Sequence, residues 1–354
     1  MFRVMIDYGN VRERTGTGTY ARGLLTALQR YGSESLAVEE AGISRGADHW
    51  RPLWRLIYLL RVRSMSLQGF RGADVVHFTN VYVPPPRRGP SFVLTIHDLD
   101  AITFPELYAK RYVVYTQHAF NLAVRRSTLI LTDTEAVRAA VLDRYGISDK
   151  RVVVAGIGLS PSFVALADKL PLPRPVLPMI LFAGTLTRKK NIAWMTRAVA
   201  EGVRRGALPP LRLLLAGNPG YGISEILEAI TEARGIAEWV RNPDQLHLVQ
   251  MYREASALIL PSYCEGFGIP LLEAMYCGVP IVASNIPTSQ EVAGGIAEFF
   301  DLGDRDGFYD AVRRALYDVR SEERRANAAK RLNSYSWPML VPGYVAAYRA
   351  SLQR

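Results

Sequence analysis

Short apolar runs alternate with longer amphipathic segments along the whole chain, and that alternation leaves few folds open. Phe2–Ile6, Val75–Phe78, Phe92–Ile96 and Thr128–Thr132 read as strands. Among them, Gly18–Arg30, Glu106–Arg126 and Glu135–Tyr145 carry helical periodicity, the last stopping at Gly146. Strands separated by helical patterns are the signature of a parallel sheet covered by helices.

The alternation is interrupted once. PLPRPVLP, at 171–178, holds four prolines and can continue neither a helix nor a central strand, so it reads as a linker. Beyond it the pattern restarts with Met179–Phe182, a helix over Ile192–Arg205, Leu211–Leu215, a helix ending at Arg234, then Ala257–Leu260 and Pro280–Ala283. The predicted organisation is an α/β chain of two doubly wound, Rossmann-like parallel-sheet domains, 1–170 and 179–336, joined by 171–178. A terminal helix, Trp337–Leu352 within 337–354, is expected to return to the first domain. Ligands of such sheets sit outside the carboxyl ends of the strands, so the cleft between the two domains is the expected binding place.

Composition narrows the class. A chain of 354 residues that is 49% apolar can bury a sizeable core, which excludes disorder as its dominant state. No apolar run approaches the roughly 20 residues that span a bilayer. Asp7, in MFRVMIDYGN, stands where a secretory leader needs an apolar centre. Two cysteines, Cys264 and Cys277, are too few for a disulfide framework and have no histidine cluster beside them, so neither a disulfide nor zinc is expected. These features fit a cytoplasmic protein. The net charge of +10 attracts phosphate groups, whether on nucleotides, nucleic acids or anionic lipids. No nucleic-acid-binding module is recognisable, and no nucleic-acid partner is expected.

Four segments carry candidate chemistry. In PSYCEGFGIPLLEAMYCG (Pro261–Gly278) a strand runs into a loop with Gly266 and Gly268, and Pro270 marks a helix start. Glycines admit close backbone approach, and a helix N-terminus offers N–H groups and the positive end of its dipole, so Gly266, Phe267, Gly268 and Ile269 read as a diphosphate cradle. Glu265 falls in the loop and Glu273 is expected in the helix's first turn, where carboxylates suit ribose or sugar hydroxyls. GTLTRKKN, after the strand MILFA, sets Arg188, Lys189 and Lys190 at a strand end, where cations neutralise a diphosphate leaving group. TGTGTY places Gly16 and Gly18 in a turn after the first strand, open to acceptor or diphosphate, but a dinucleotide site lacks its acidic residue about 20 residues later. His97 follows the strand SFVLTI. The D-x-D sequences at Asp98–Asp100 and Asp304–Asp306 are not expected to bind metal.

At Glu265–Met275 the chain resembles the retaining glycosyltransferases of family 4, whose E-x7-E signature sits in EGFG-x-P-x-x-E-A-M. The resemblance extends from the N-terminal glycines to the YSW segment (Tyr335–Trp337). It implies the GT-B architecture, a nucleotide-sugar donor, a glycan or lipid-linked acceptor, and no cofactor or metal. Within it Glu273 holds ribose, Lys190 the diphosphate, and Glu265 with His97 the sugar. Thr185 stands where many members carry arginine, leaving Arg188 or Lys189 as the second cation. GTLTRKKN with HDL and FPE is similar to a mannosyltransferase-like branch of polysaccharide enzymes, which points first to GDP-mannose and leaves UDP-sugars open. An epimerase or phosphorylase on the same scaffold is the alternative, with a basic nucleic-acid-binding protein a distant third. Finally, WRPLWRLIYLLRVR (Trp50–Arg63) has an apolar arc flanked by arginines, which fits a helix lying on an anionic membrane surface or one packed on the first sheet.

Overall fold

The computed structural model describes residues 1–7, 16–34, 36–40, 70, 72–80, 89–171, 177–317 and 321–353. Trp50–Arg63 lies outside them, as does most of the proline-rich segment. The chain forms two compact units: Met1–Thr103 with Lys110–Gly158 and Tyr335–Arg354, and Phe104–Ala109 with Leu159–Ser334.

Unit 1 contains β1 (Phe2–Asp7), α1 (Gly16–Tyr31), β2 (Leu36–Glu40), β3 (Val75–Phe78), β4 (Ser91–Ile96), α2 (Asp100–Thr103), α3 (Lys110–Arg126), β5 (Leu129–Thr132), α4 (Glu135–Tyr145) and β6 (Val152–Val154). The described strands pair in parallel in the order β2-β1-β3-β4-β5-β6. β3 and β5 are buried along their whole length, as strands covered on both faces must be. Phe78, Phe92, Leu94 and Ile130 pack with Phe120 of α3 to form the core on one face. The Thr134 side chain caps α4 by accepting from Val137 N–H, and Gly146 closes it in the left-handed conformation.

Unit 2 repeats the scheme with α5 (Pro161–Ala167), β7 (Met179–Ala183), α6 (Ile192–Arg204), β8 (Arg212–Gly217), α7 (Ile223–Glu232), β9 (Ala237–Arg241), α8 (Gln245–Glu254), β10 (Ala257–Leu260), α9 (Ile269–Cys277), β11 (Ile281–Ser284), α10 (Pro287–Ala293), β12 (Ala297–Phe300), α11 (Arg305–Leu316) and α12 (Ser321–Ser334). Its parallel order is β12-β11-β10-β7-β8-β9. The chain winds outward from β7 through β8 to β9, then returns to β10 on the other side of β7. That reversal makes the β7/β10 pair the topological switch point, where doubly wound sheets bind ligands.

The final helix, α13 (Trp337–Leu352), belongs to unit 1. Its Trp337 ring fills the space left by Gly23 and Gly158; a Cβ at Gly158 would stand 2.6 Å from the indole. Tyr344 Oη donates to the Gly156 carbonyl (2.7 Å), and Tyr348 Oη lies 2.8 Å from His77 Nδ1.

Several local expectations need correcting. The division falls between Gly158 and Leu159, not at 171–178. The reason is α5, whose Phe163 packs edge-on against Tyr252 of α8, while Ala167 C=O accepts from Arg253. The helix expected over Glu106–Arg126 is two pieces, a 3-10 turn at Pro105–Leu107 and α3, because Tyr108 between them is extended. α1 begins at Gly16, two residues before the expected start at Gly18, so both glycines lie in its first turn, and Gly18 is buried.

Candidate functional site

Three loops at the carboxyl ends of β7, β8 and β10 form one construction. The loop after β7 runs beside the loop after β8, with Leu186 N–H donating to Asn218 C=O (2.8 Å) and Arg188 N–H to Tyr221 C=O (2.9 Å). Side chains are excluded from this seam: a Cβ on Gly217 would fall 1.8 Å from the Gly184 carbonyl. The Tyr263 N–H donates to Lys189 C=O (2.9 Å), tying the loop after β10 to the same turn.

Arg188–Lys190 is a 3-10 turn, and Asn191 leaves it in the left-handed region (φ 53°) to start α6. At three residues per turn, consecutive side chains point about 120° apart. The three cations therefore diverge rather than facing one ligand together. Arg188 lies over the Tyr221 ring, 5.5 Å from its centroid, and 3.6 Å from Glu225. Lys190 points the other way and makes an ion pair with Glu265 Oε1. Both members of that pair are largely buried, with 14% and 9% of their side chains exposed.

Glu265 is held on a second side. Ser262 Oγ donates to the same Oε1 (2.6 Å), and Ser284 Oγ at the end of β11 donates to the Ser262 carbonyl (2.6 Å). Burial would push the Glu265 carboxyl up, but Lys190 and then Lys189 outweigh it and hold it below the usual carboxylate range. The site thus keeps a carboxylate and an ammonium in contact at the switch point.

Gly266, Phe267 and Gly268 are buried, and Gly268 stands at φ 91°, where an L side chain is strained. Gly268 caps α9 without a side chain, and Ile269 and Pro270 open the helix. Glu273 is the fifth residue of α9, just past its first turn, because the helix begins at Ile269, one residue before Pro270. There it is 8% exposed, and Oε2 accepts from Tyr252 Oη of α8 (2.7 Å). Burial lifts its carboxyl to about 7, against the pull of that hydrogen bond.

In unit 1, His97 follows β4 and meets Asp133, which follows β5. The register makes this meeting necessary: Ile96 pairs with Thr132 across the parallel strands, so the next residues on each are neighbours. His97 Nδ1 is 2.7 Å from Asp133 Oδ2, and Nε2 donates to Thr79 C=O at 2.9 Å. The Tyr20 ring stands edge-on to the imidazole, 4.8 Å between centroids. Burial disfavours charge on His97, but Asp133, with the Thr79 carbonyl and Asp98, outweighs it and raises the imidazole above its ordinary value.

Unit 2 thus brings Lys190 together with Glu265, and within the same loops and helix it carries Lys189, Gly266–Ile269 and Glu273. Arg188 is turned aside. Asp133, Tyr252 and Ser262 were not marked by the sequence as site residues. For Asp133 the signal was its place directly after a strand, matching that of His97. Asp304 accepts from Gly307 N–H (3.0 Å) as the cap of α11. Among the described residues no three His, Cys, Asp or Glu side chains are grouped to hold a metal ion, and no helix is long and apolar enough to cross a membrane.

Comparison with known proteins gives matches across the chain. Residues 15–163 match the model described as Glycosyltransferase Family 4, and residues 177–318 that described as Glycosyl transferases group 1. The chain is 27% identical to the O-antigen chain mannosyltransferase B of Escherichia coli over 343 residues, covering 88% of this chain and 86% of that protein. Sucrose-phosphate synthase from Thermosynechococcus elongatus shares the fold with a TM-score of 0.77 at 18% identity, over 99% of this chain and 98% of that one. The Anabaena protein HepE, solved in complex with UDP and glucose, does so with a TM-score of 0.69 at 15% identity, over 99% and 100%.

Proposed function

Since the chain belongs to the family 4 glycosyltransferases and has their GT-B fold of two Rossmann-like units, we propose that it moves mannose from GDP-mannose to a glycan or lipid-linked acceptor, with retention of configuration. The observation that carries this reading is the buried Lys190–Glu265 pair at the β7/β10 switch point, beside the start of α9, which has no side-chain cap. A nucleoside diphosphate has the matching chemistry. Its phosphates take the α9 N–H groups and the Lys190 ammonium, its ribose takes Glu273, and its sugar hydroxyls take Glu265. Lys189 is the second cation, because it already acts on Glu265 whereas Arg188 is engaged with Tyr221 and Glu225. The mannosyl assignment is supported by the mannosyltransferase relative, and a nucleotide-sugar donor by the UDP complex of HepE.

In the transfer the bond from the anomeric carbon to the diphosphate oxygen breaks and the acceptor oxygen bonds to that carbon on the same face. The acceptor's proton passes to the departing diphosphate. The protein orients the partners and stabilises charge growing on the leaving group, as preorganised cations and N–H groups do.

The test is a comparison of GDP-mannose with UDP-glucose and UDP-N-acetylglucosamine as donors. Under this reading GDP-mannose raises the unfolding temperature and releases GDP, faster once acceptor is present. A response to UDP-sugars alone overturns the donor assignment. Because two lysines stand at the diphosphate, transfer measured in excess chelator is expected to remain within a few-fold of that with magnesium. Complete loss, restored by manganese or magnesium, would remove the metal-independent reading.

A further inference from the structure

Both ring nitrogens of His97 face oxygens. Nε2 is 2.9 Å from the Thr79 carbonyl, which can only accept, so Nε2 carries a hydrogen. Nδ1 is 2.7 Å from Asp133 Oδ2. A single proton between those two atoms belongs by ordinary basicity to the imidazole. The other carboxylate oxygen, Asp133 Oδ1, is buried without a hydrogen-bond donor. Leaving such an atom unpaired is costly, and an asparagine would serve a neutral ring without placing a charge there. What the carboxylate adds is charge.

We propose that Asp133 is the positioning residue for His97, holding its ring as a doubly protonated imidazolium with both N–H groups engaged inside unit 1. His97 then serves the reaction by a fixed positive charge and a fixed ring edge, and takes no part in proton transfer. Its use in catalysis rests on the glycosyltransferase reading above; its charge state does not. The titratable groups around the pair are Asp98, which follows His97 in the chain, Tyr20 of α1, Tyr344 of α13, whose hydroxyl donates to Tyr20 Oη, and His77 of β3. Asp98 favours the cation. His77, hydrogen-bonded to Thr95 and Tyr348, is pushed down to about 3 by burial and by His97, so it stays neutral and does not compete for the proton. Tyr20 donates to or accepts from Thr95 (2.9 Å) and presents only its ring to His97.

The experiment reads ring protonation directly. Nitrogen-15 spectra of the wild-type protein at neutral pH, with His97→Gln used to assign one of the five histidines, are expected to show His97 protonated at both nitrogens. A ring protonated at Nε2 alone overturns the proposal, whether or not the donor assignment stands. In Asp133→Asn the amide can donate to Nδ1, so the ring stays in place but becomes neutral. This variant is expected to lose about tenfold or more in kcat at neutral pH and to recover activity on acidification as the ring regains its proton. A purely structural role would give no such recovery. A folded Asp133→Asn protein with wild-type kcat and an unchanged pH profile would overturn the use of the charge.

Discussion

Replacing Lys190 with alanine is expected to lower the rate of sugar transfer by about 100-fold or more, on the order of 2.7 kcal/mol of transition-state stabilisation. The ammonium makes an ion pair with Glu265, and both sit at the strand ends where the doubly wound topology reverses. The substitution has a second consequence that must be separated from the first. Removing one member of a buried ion pair leaves the other charge uncompensated, a defect that costs about 3–5 kcal/mol of stability. Glu265 then loses the main influence that holds its carboxyl low, and burial drives it toward protonation. Adding Glu265→Gln to Lys190→Ala removes the stranded charge while the glutamine still accepts from Ser262. The double variant is therefore expected to regain most of the unfolding temperature and none of the activity. Steady-state kinetics with thermal unfolding of the two single variants and the double variant separate the effects. Recovery of turnover along with stability would mean that Lys190 serves only to neutralise Glu265, and the diphosphate would have to be assigned elsewhere.

The parts of this design that were legible in the sequence are those whose chemistry is local. Eight strands stand out as apolar runs because they lie inside the two sheets. β2, β6, β9 and β12 do not, and they are the outer strands of the described sheets. Their burial is mixed: AEWVR of β9 is half-buried or exposed throughout, and LAVEE of β2 ends exposed. An edge strand has one neighbour and less cover, so nothing forces a continuous apolar run. The strand–glycine–helix segment at Glu265–Glu273 was readable for the same local reason, since Gly268 requires a positive φ and Pro270 suits a helix start. What spacing could not give is direction and distant pairing. RKK reads as one cationic cluster, yet a 3-10 turn sends its side chains apart. Tyr252 reaches Glu273 from another helix, and Asp133 meets His97 only through the register of β4 and β5.

If Glu273 holds the ribose, nucleotide binding is expected to depend on pH. Its carboxyl titrates near 4.5 when unperturbed and at about 7 in the folded protein, because burial opposes its charge. A group whose folded value is raised contributes stability that is fully present below the unfolded value and lost as pH rises to the folded one. The ligand-free protein is therefore expected to lose stability between about pH 4.5 and 7 on this account, by up to about 3 kcal/mol for a shift of this size. Ribose hydroxyls donate to a carboxylate better than to a carboxylic acid, so the bound nucleotide favours the ionised form. By linkage the affinity for GDP should then rise as pH passes through neutrality, approaching about tenfold between pH 6 and pH 8. Glu273→Gln keeps an acceptor for Tyr252 Oη but removes the charge. That variant should bind GDP weakly with no rise from pH 6 to 8, unfold at a higher temperature than wild type at pH 8, and transfer sugar about 100-fold more slowly. Calorimetric titration with GDP at the two pH values decides the matter: equal wild-type affinity at both would show that the Glu273 carboxylate does not hold the ribose.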